Sequence, residues 1–228
     1  MSLRVRDRLG WADVMSLLNA VVGVVAMVAA VTATPGVVAR LILLAAVADG
    51  LDGIIARRRG GTAVGPYLDS MADVVSFGTA PALFAFAVAR DAWAPLSSDP
   101  LQYVIAGAVA SLFVVFSLVR TALYTVYVDT DETRPGIQNT LAASILAAAY
   151  LAGLTQVPLL LAAAVVLSVL MVAPIPYPKL TARDALLMGV VQVGAIARPA
   201  LLDRILPRIL LIAALAYLTL APRYYWGE

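Results

Sequence analysis

Apolar runs long enough to cross a bilayer recur from one end of this chain to the other, and this limits its fold more than any other feature. A helix needs ~20 apolar residues to cross a hydrocarbon core of ~30 Å. Runs of that order lie at 14 to 34, 36 to 57, 66 to 90, 101 to 127, 137 to 154, 156 to 173, 184 to 202 and 205 to 222. None alternates polar with apolar residues as a membrane barrel strand does. With 62% hydrophobic residues, 13% charged residues and a mean hydropathy of +0.93, the balance is far from that of a soluble domain. The expected fold is all-α, a polytopic integral membrane bundle of eight transmembrane helices. The last pair, 184 to 222, is interrupted by Arg198, Pro199, Asp203, Arg204 and Pro207, so six spans plus a re-entrant hairpin is the alternative.

No soluble domain, long linker, low-complexity segment or internal repeat punctuates the chain, so residues 1 to 228 read as one membrane domain. The charged start "MSLRVRDRLGWADVM" precedes the first apolar run as a signal peptide would. Apolar segments continue to the end, however, and the start reads as retained. Arginine and lysine at the span ends set the orientation. Arg4, Arg6, Arg8, Arg57, Arg58, Arg59, Arg134, Lys179, Arg183 and Arg223 all fall on one side of an eight-span arrangement. That side is expected to face the cytoplasm, with the chain in the plasma membrane. The loops "TATPG" and "GLTQVP" on the other side carry no charge and make neighbouring spans antiparallel.

The chain contains neither cysteine nor histidine. Disulfides and thiolate metal sites are therefore excluded, and carboxylates are left as the credible acids, bases and metal ligands. Four of them stand in the segment "ADGLDGIIARRRGGTAVGPYLDSMAD" as Asp49, Asp52, Asp69 and Asp73. On a helix the first pair, three apart, shares one face, and so does the second, four apart. The short connection folds the two helices antiparallel, which converges both faces on one cavity. An ionised side chain inside an apolar span costs about 2.5 kcal/mol or more, so such groups mark a functional site. Four like charges need cations beside them, and hard divalent ions with oxygen ligands are the natural partners. Gly53 and Gly65 lie beside these aspartates, either for helix packing or to let a bulky polar ligand approach the backbone. The flanking cations, Arg57 first and Arg58 after it, suit a diphosphate.

The order D-x-x-D-G-x-x-A-R followed by G-x-x-x-D-x-x-x-D, carried by Asp49, Asp52, Gly53, Ala56, Arg57, Gly65, Asp69 and Asp73, resembles the signature of the CDP-alcohol phosphotransferases. The gap from Arg57 to Gly65 is one residue shorter than the commoner family spacing, which puts the loop's shape in question more than the metal ligands. "LDSMADVVSFGTAPALF" and "APIPYPK" resemble the phosphatidylserine synthase or archaetidylserine synthase branch. With "SLLNAVVGVVA" in the first span, the likeness covers roughly residues 12 to 180. It implies that a phosphatidyl-type group moves from a CDP-linked lipid, CDP-diacylglycerol or CDP-archaeol, to an alcohol with release of CMP. It also implies that Asp49, Asp52, Asp69 and Asp73 bind two divalent ions, Mg²⁺ or Mn²⁺, and that Asp73 takes the proton of the incoming hydroxyl. Gly53, Ala56, Arg57 and Gly65 are placed on the CDP-lipid side. Asp13, standing where relatives often carry the Asn of a Pro-Asn pair, is placed there too. Relatives form homodimers, and the small-residue-rich spans permit one here.

L-Serine is the expected acceptor. Arg120, deep in the fourth span with Ser117, Thr121 and Tyr124 on neighbouring faces, would hold its carboxylate, the alternatives being pairing with a site aspartate or snorkelling. Arg134 is assigned to the acceptor as well, against an ordinary topology signal. Glycerol 3-phosphate or an inositol phosphate would keep the same chemistry but call for a denser basic cluster. A divalent-cation transporter would explain the carboxylates and not the glycine and A-R spacing, and the D-D-x-x-D pattern of prenyl transfer is absent. The net charge of +2 says little about partners; no nucleic-acid partner is expected, and membrane lipids are the surroundings. The orientation is checked by single cysteines at Gly61 and Ser98, which should react with an impermeant reagent from opposite sides of sealed vesicles. Labelling of both from one side would reject it.

Overall fold

The computed structural model describes residues 9–93, 99–127, 134–178, 180 and 182–224, with side chains at all of these except 52, 56–59, 134 and 182. Eight helical rods make up the described residues. They are α1 (Trp11–Thr32), α2 (Pro35–Arg59), α3 (Gly65–Ala92), α4 (Pro100–Tyr127), α5 (Asn139–Leu151), α6 (Val157–Met171), α7 (Ala182–Ala197) and α8 (Ile205–Tyr224). Four of them, α1, α3, α4 and α8, are long and apolar enough to cross a membrane. The protein is an all-α membrane protein.

The boundaries follow the sequence's own punctuation, with two differences from the expected spans. Helix α1 begins at Trp11 rather than near residue 14, because the Asp13 carboxylate reaches back to accept the Gly10 N–H at 2.7 Å and so closes the first turn. Helix α7 stops at Ala197, short of the expected residue 202. A proline at 199 disfavours helical backbone at the residue before it, and the turn that follows takes three consecutive positive φ values at Leu202, Asp203 and Arg204. This turn makes α7 and α8 an antiparallel hairpin.

Helix α5, only 13 residues long, is too short to span the hydrocarbon core. Its sequence "LAASILAAAYL" explains how it is accommodated: alanine lets neighbours approach, and Ala142, Ala143, Leu146, Ala147 and Ala148 are fully buried. It packs against α2, α6 and α8, so protein rather than lipid surrounds it. Two backbone hydrogen bonds, from Gly136 to Ile175 and from Ile137 to Leu170, with the antiparallel pair of Arg134–Pro135 and Pro176–Tyr177, bind its entrance to the last turn of α6 and the segment after it.

Rod α3 changes pitch in its middle, where residues Val74–Thr79 form a π-helical turn directly after Asp73. Pro81 supplies a reason: in a regular α-helix its ring would meet the carbonyl four residues back, and a wider turn relieves that clash. Small residues receive the widened segment. The Ser76 hydroxyl donates to the Asn19 carbonyl at 2.8 Å. A Cβ on Gly23 would lie 2.8 Å from the Ser76 Cα, and one on Gly78 2.6 Å from the Ser117 Oγ. Ser117 is thereby spent on helix packing and not on the cavity. Gly23→Val should therefore cost ~1–3 kcal/mol of overpacking and lower the apparent melting temperature in detergent. Gly107→Ala, whose Cβ meets nothing within 4 Å, should not lower it.

Candidate metal and substrate cavity

The C-terminal half of α2, the start of α3, the C-terminal third of α4 and the start of α5 meet at one end of the bundle around a cavity of about 500 Å³. The helical spacing carries the aspartates into it. Carboxylate oxygens of Asp49, Asp69 and Asp73 lie within 4.8 Å of one another, although the first comes from a different helix than the other two. Asp49 stands ~15 Å inside the end of α2 and Asp73 ~12 Å inside the start of α3, at 1.5 Å per residue. The cluster is thus below the surface and still reachable from it. Three close carboxylates with no nitrogen or sulfur donor among them form a hard, oxygen-only set, which fits a divalent cation.

Neighbouring hydroxyls orient the cluster. Thr140, in the first turn of α5, donates from Oγ1 to Asp49 Oδ2 at 3.3 Å. Ser70, between the two α3 aspartates, shares a hydrogen bond of 2.9 Å with Thr125 of α4 and holds the two rods together at the cavity wall. Arg120 is 9% exposed, lines the cavity with Thr121 and Tyr124, and sets its guanidinium carbon 5.0 Å from the centre of the Tyr124 ring. One buried cation thus shares a cavity with the carboxylates.

Asp13 lines the same cavity but is also built into its frame. Its Oδ2 accepts from the Gly10 N–H and, at 2.8 Å, from the Thr62 hydroxyl; Thr62 Oγ1 in turn accepts the Gly65 N–H at 3.0 Å. A Cβ on Gly65 would come within 2.9 Å of Asp13 Oδ1. Gly65 is therefore bare to admit a carboxylate of the same chain, a role different from both helix packing and ligand approach. The relay ties the start of α1 to the loop that turns α2 into α3.

Of the other expected site residues, Gly53 and Gly65 line the cavity. Arg183, one of the cations that set the orientation, is exposed and does not line it. The side chains of Asp52, Ala56, Arg57, Arg58 and Arg134, and all of Lys179, lie outside the described residues. Sequence reasoning missed Ser16, Thr62, Ser70, Thr125, Gln138 and Thr140, all on the cavity wall. Ser70 had a signal in its place between Asp69 and Asp73. Gln138 and Thr140 had none, because only the packing of α5 on α2 brings them near Asp49.

Comparison with known proteins places these observations in a family. Residues 9–173 match the CDP-alcohol phosphatidyltransferase family model. The chain is similar to the archaetidylserine synthase of Methanothermobacter thermautotrophicus, with 28% identity over 176 residues, 76% of this chain and 71% of that protein. It is also similar to two proteins named CDP-diacylglycerol–serine O-phosphatidyltransferase. The one from Helicobacter pylori is 32% identical over 150 residues, 61% of this chain and 59% of that protein. The one from Mycobacterium leprae is 34% identical over 122 residues, 53% of this chain and 37% of that protein.

Hydrogen bonds to metal-binding carboxylates typically change affinity 10- to 100-fold when removed. Thr140→Val, which keeps the shape and loses the hydroxyl, should weaken Mn²⁺ binding to the purified protein about tenfold, read from the free-ion electron paramagnetic resonance signal.

Proposed function

We propose that this chain, which belongs to the CDP-alcohol phosphatidyltransferase family, transfers a phosphatidyl-type group from a CDP-linked lipid to the hydroxyl of L-serine and releases CMP. The observation that carries the reading is the convergence of Asp49, Asp69 and Asp73 on one cavity that also holds the buried Arg120. The names of the relatives support serine as acceptor and leave CDP-diacylglycerol and CDP-archaeol equally eligible as donors.

Asp49, Asp69 and Asp73, with Asp52 from the sequence signature, are the residues that would hold divalent cations, two in number and Mg²⁺ or Mn²⁺ in kind. When bound, such ions polarise a diphosphate and offset the charge that builds on the departing nucleotide. The chain's own groups account for the rest. The Asp73 carboxylate accepts the proton of the serine hydroxyl. The serine oxygen forms a bond to the lipid-bearing phosphorus while the bond from that phosphorus to the bridging oxygen breaks, and CMP leaves with the electron pair. Arg120 holds the serine carboxylate, and Arg134 is assigned to the acceptor with it. Arg57, with Gly53, Ala56 and Gly65, is assigned to the donor's diphosphate by the signature. Asp13 acts on the donor side by fixing the loop that carries Gly65.

We further read the whole chain as one domain of a homodimer in the plasma membrane, with the cavity open to the cytoplasm on the side rich in arginine. The test is purified protein supplied with CDP-diacylglycerol or CDP-archaeol and labelled serine, glycerol 3-phosphate or inositol phosphate, with lipid product and CMP as readouts. Serine should be used and Asp73→Asn should be inactive though inserted. Use of glycerol 3-phosphate and not serine would overturn the acceptor. In a desolvated site a charge-assisted contact is worth about 1.5 to 3 kcal/mol. Arg120→Ala should therefore lower serine use by about one to two orders of magnitude and leave donor affinity nearly unchanged. Loss of donor binding with an unaltered KM for serine would move Arg120 to the donor.

A further inference from the structure

Hydroxyls inside the helices of this protein commonly turn back on their own backbone. Ser111 and Thr125 of α4 and Ser168 of α6 each donate to the carbonyl four residues earlier, at 2.8, 2.7 and 2.7 Å. Thr121, in the same helix as the first two, does not. The carbonyl it would use, that of Ser117, faces Asn139 Nδ2 at 3.5 Å, and the same nitrogen donates to Thr121 Oγ1 at 2.8 Å. A carbonyl oxygen only accepts, so the Asn139 atom between these two partners has to be the amide nitrogen. Asn139, the first residue of α5, is 1% exposed, and this contact fixes its amide in one orientation. Thr121 therefore receives a hydrogen bond and keeps its own hydrogen, which it gives to no group among the described residues. A hydroxyl polarised in this way is also the stronger donor.

The register of α3 against α4 places that hydrogen. Ser70 meets Thr125, and Gly78 meets Ser117. Thr121, midway between Thr125 and Ser117, thus stands level with Asp73 and Val74. It lines the polar cavity beside Arg120. The other charged groups described on that wall, Asp13, Asp49, Asp69 and Asp73, are carboxylates, which as ions only accept. A neutral group held as a donor at the depth of Asp73 is suited to an anion that arrives together with the attacking hydroxyl.

We propose that Thr121 is a specificity-determining residue for the acceptor, donating to the serine carboxylate alongside Arg120, and that Asn139 is the positioning residue that fixes its polarity. The proposal rests on the reading of serine as acceptor. In serine only Cα and Cβ separate the carboxylate carbon from the hydroxyl oxygen, so a molecule whose hydroxyl lies at Asp73 carries its carboxylate to the neighbouring wall. An unconstrained threonine hydroxyl can donate or accept and suits many partners. Held as a donor, it favours a charged acceptor, because such hydrogen bonds are roughly twice as strong as neutral ones. Three consecutive residues at the start of α5 thereby serve one cavity: Gln138 lines it, Asn139 sets Thr121, and Thr140 holds Asp49.

The test uses the full chain in detergent with CDP-diacylglycerol or CDP-archaeol and labelled serine, as wild type, Thr121→Val, Thr121→Ser, Asn139→Leu and the double variant Thr121→Val/Asn139→Leu. Thr121→Val keeps the shape and loses the hydroxyl. It should raise KM for serine about tenfold and leave KM for the donor within about twofold. Thr121→Ser, which restores a hydroxyl, should recover most of the loss. Asn139→Leu releases the Ser117 carbonyl to the Thr121 hydroxyl and should also raise KM for serine severalfold. Added to Thr121→Val it should change nothing further, since its effect runs through that hydroxyl. Serine binding is read separately by isothermal titration in the presence of CMP and Mn²⁺, where Thr121→Val should weaken it by the same factor. An unaltered KM for serine in Thr121→Val, or additive losses in the double variant, would overturn the proposal. A titration weakened by Thr121→Val, in a protein whose wild type releases no CMP with any acceptor, would keep the subsite and reject the transferase reading. Serine transfer by the wild type with serine use unchanged in Thr121→Val would do the reverse.

Discussion

Like charges held close together in a poorly polarisable interior are the constraint on which this structure turns. Carboxylate oxygens within 4.8 Å repel one another far more strongly below a membrane surface than in water, so Asp49, Asp69 and Asp73 make sense together only where cations join them. Several local features serve that condition. The cavity opens at one end of the bundle, a buried arginine on α4 lines it, and the Thr140 hydroxyl donates to one of the three carboxylates. A bundle held together by apolar packing alone would have no reason to bring these groups to one place.

The frame around the cluster is fastened by short polar links rather than by large apolar contacts. Asp13, Thr62 and Gly65 secure the loop between α2 and α3 to the start of α1. The Arg134–Pro135 and Pro176–Tyr177 pair secures the entrance of α5, and with it the position of Thr140. Between apolar helices in lipid, hydrophobic burial does little to choose one register over another, and hydrogen bonds and close small-residue contacts do that work. The π-helical turn after Asp73 belongs to the same group, since it re-aims α3 immediately beyond the last aspartate and is received by Gly23 and by the Ser117 hydroxyl against Gly78.

The family match ends at residue 173, yet the hairpin beyond it is not an appendage. Gln192 reaches the α2 backbone, Tyr217 reaches Pro178, and Tyr177 reaches Leu218, so α7 and α8 are bonded to the same helix and loop that position the cluster.

The sequence by itself determined the helical membrane class, because backbone groups in lipid have to be satisfied within each segment, and it singled out Asp49 on one helix and Asp69 with Asp73 on the next, because helical period is a local property. It also marked Arg120, since a charge deep in an apolar run is conspicuous in one dimension. Where the segments end was less legible: Asp13 and Pro199 shift two boundaries through local bonding that hydropathy does not register. What only the tertiary structure decided was which distant residues complete the site. Thr140 and Gln138 carry no spacing relation to Asp49, and Gly65 is bare because of a carboxylate on another helix. Helix packing sets those neighbours by the shapes of side chains far apart in the chain, and no periodicity within a single segment encodes them.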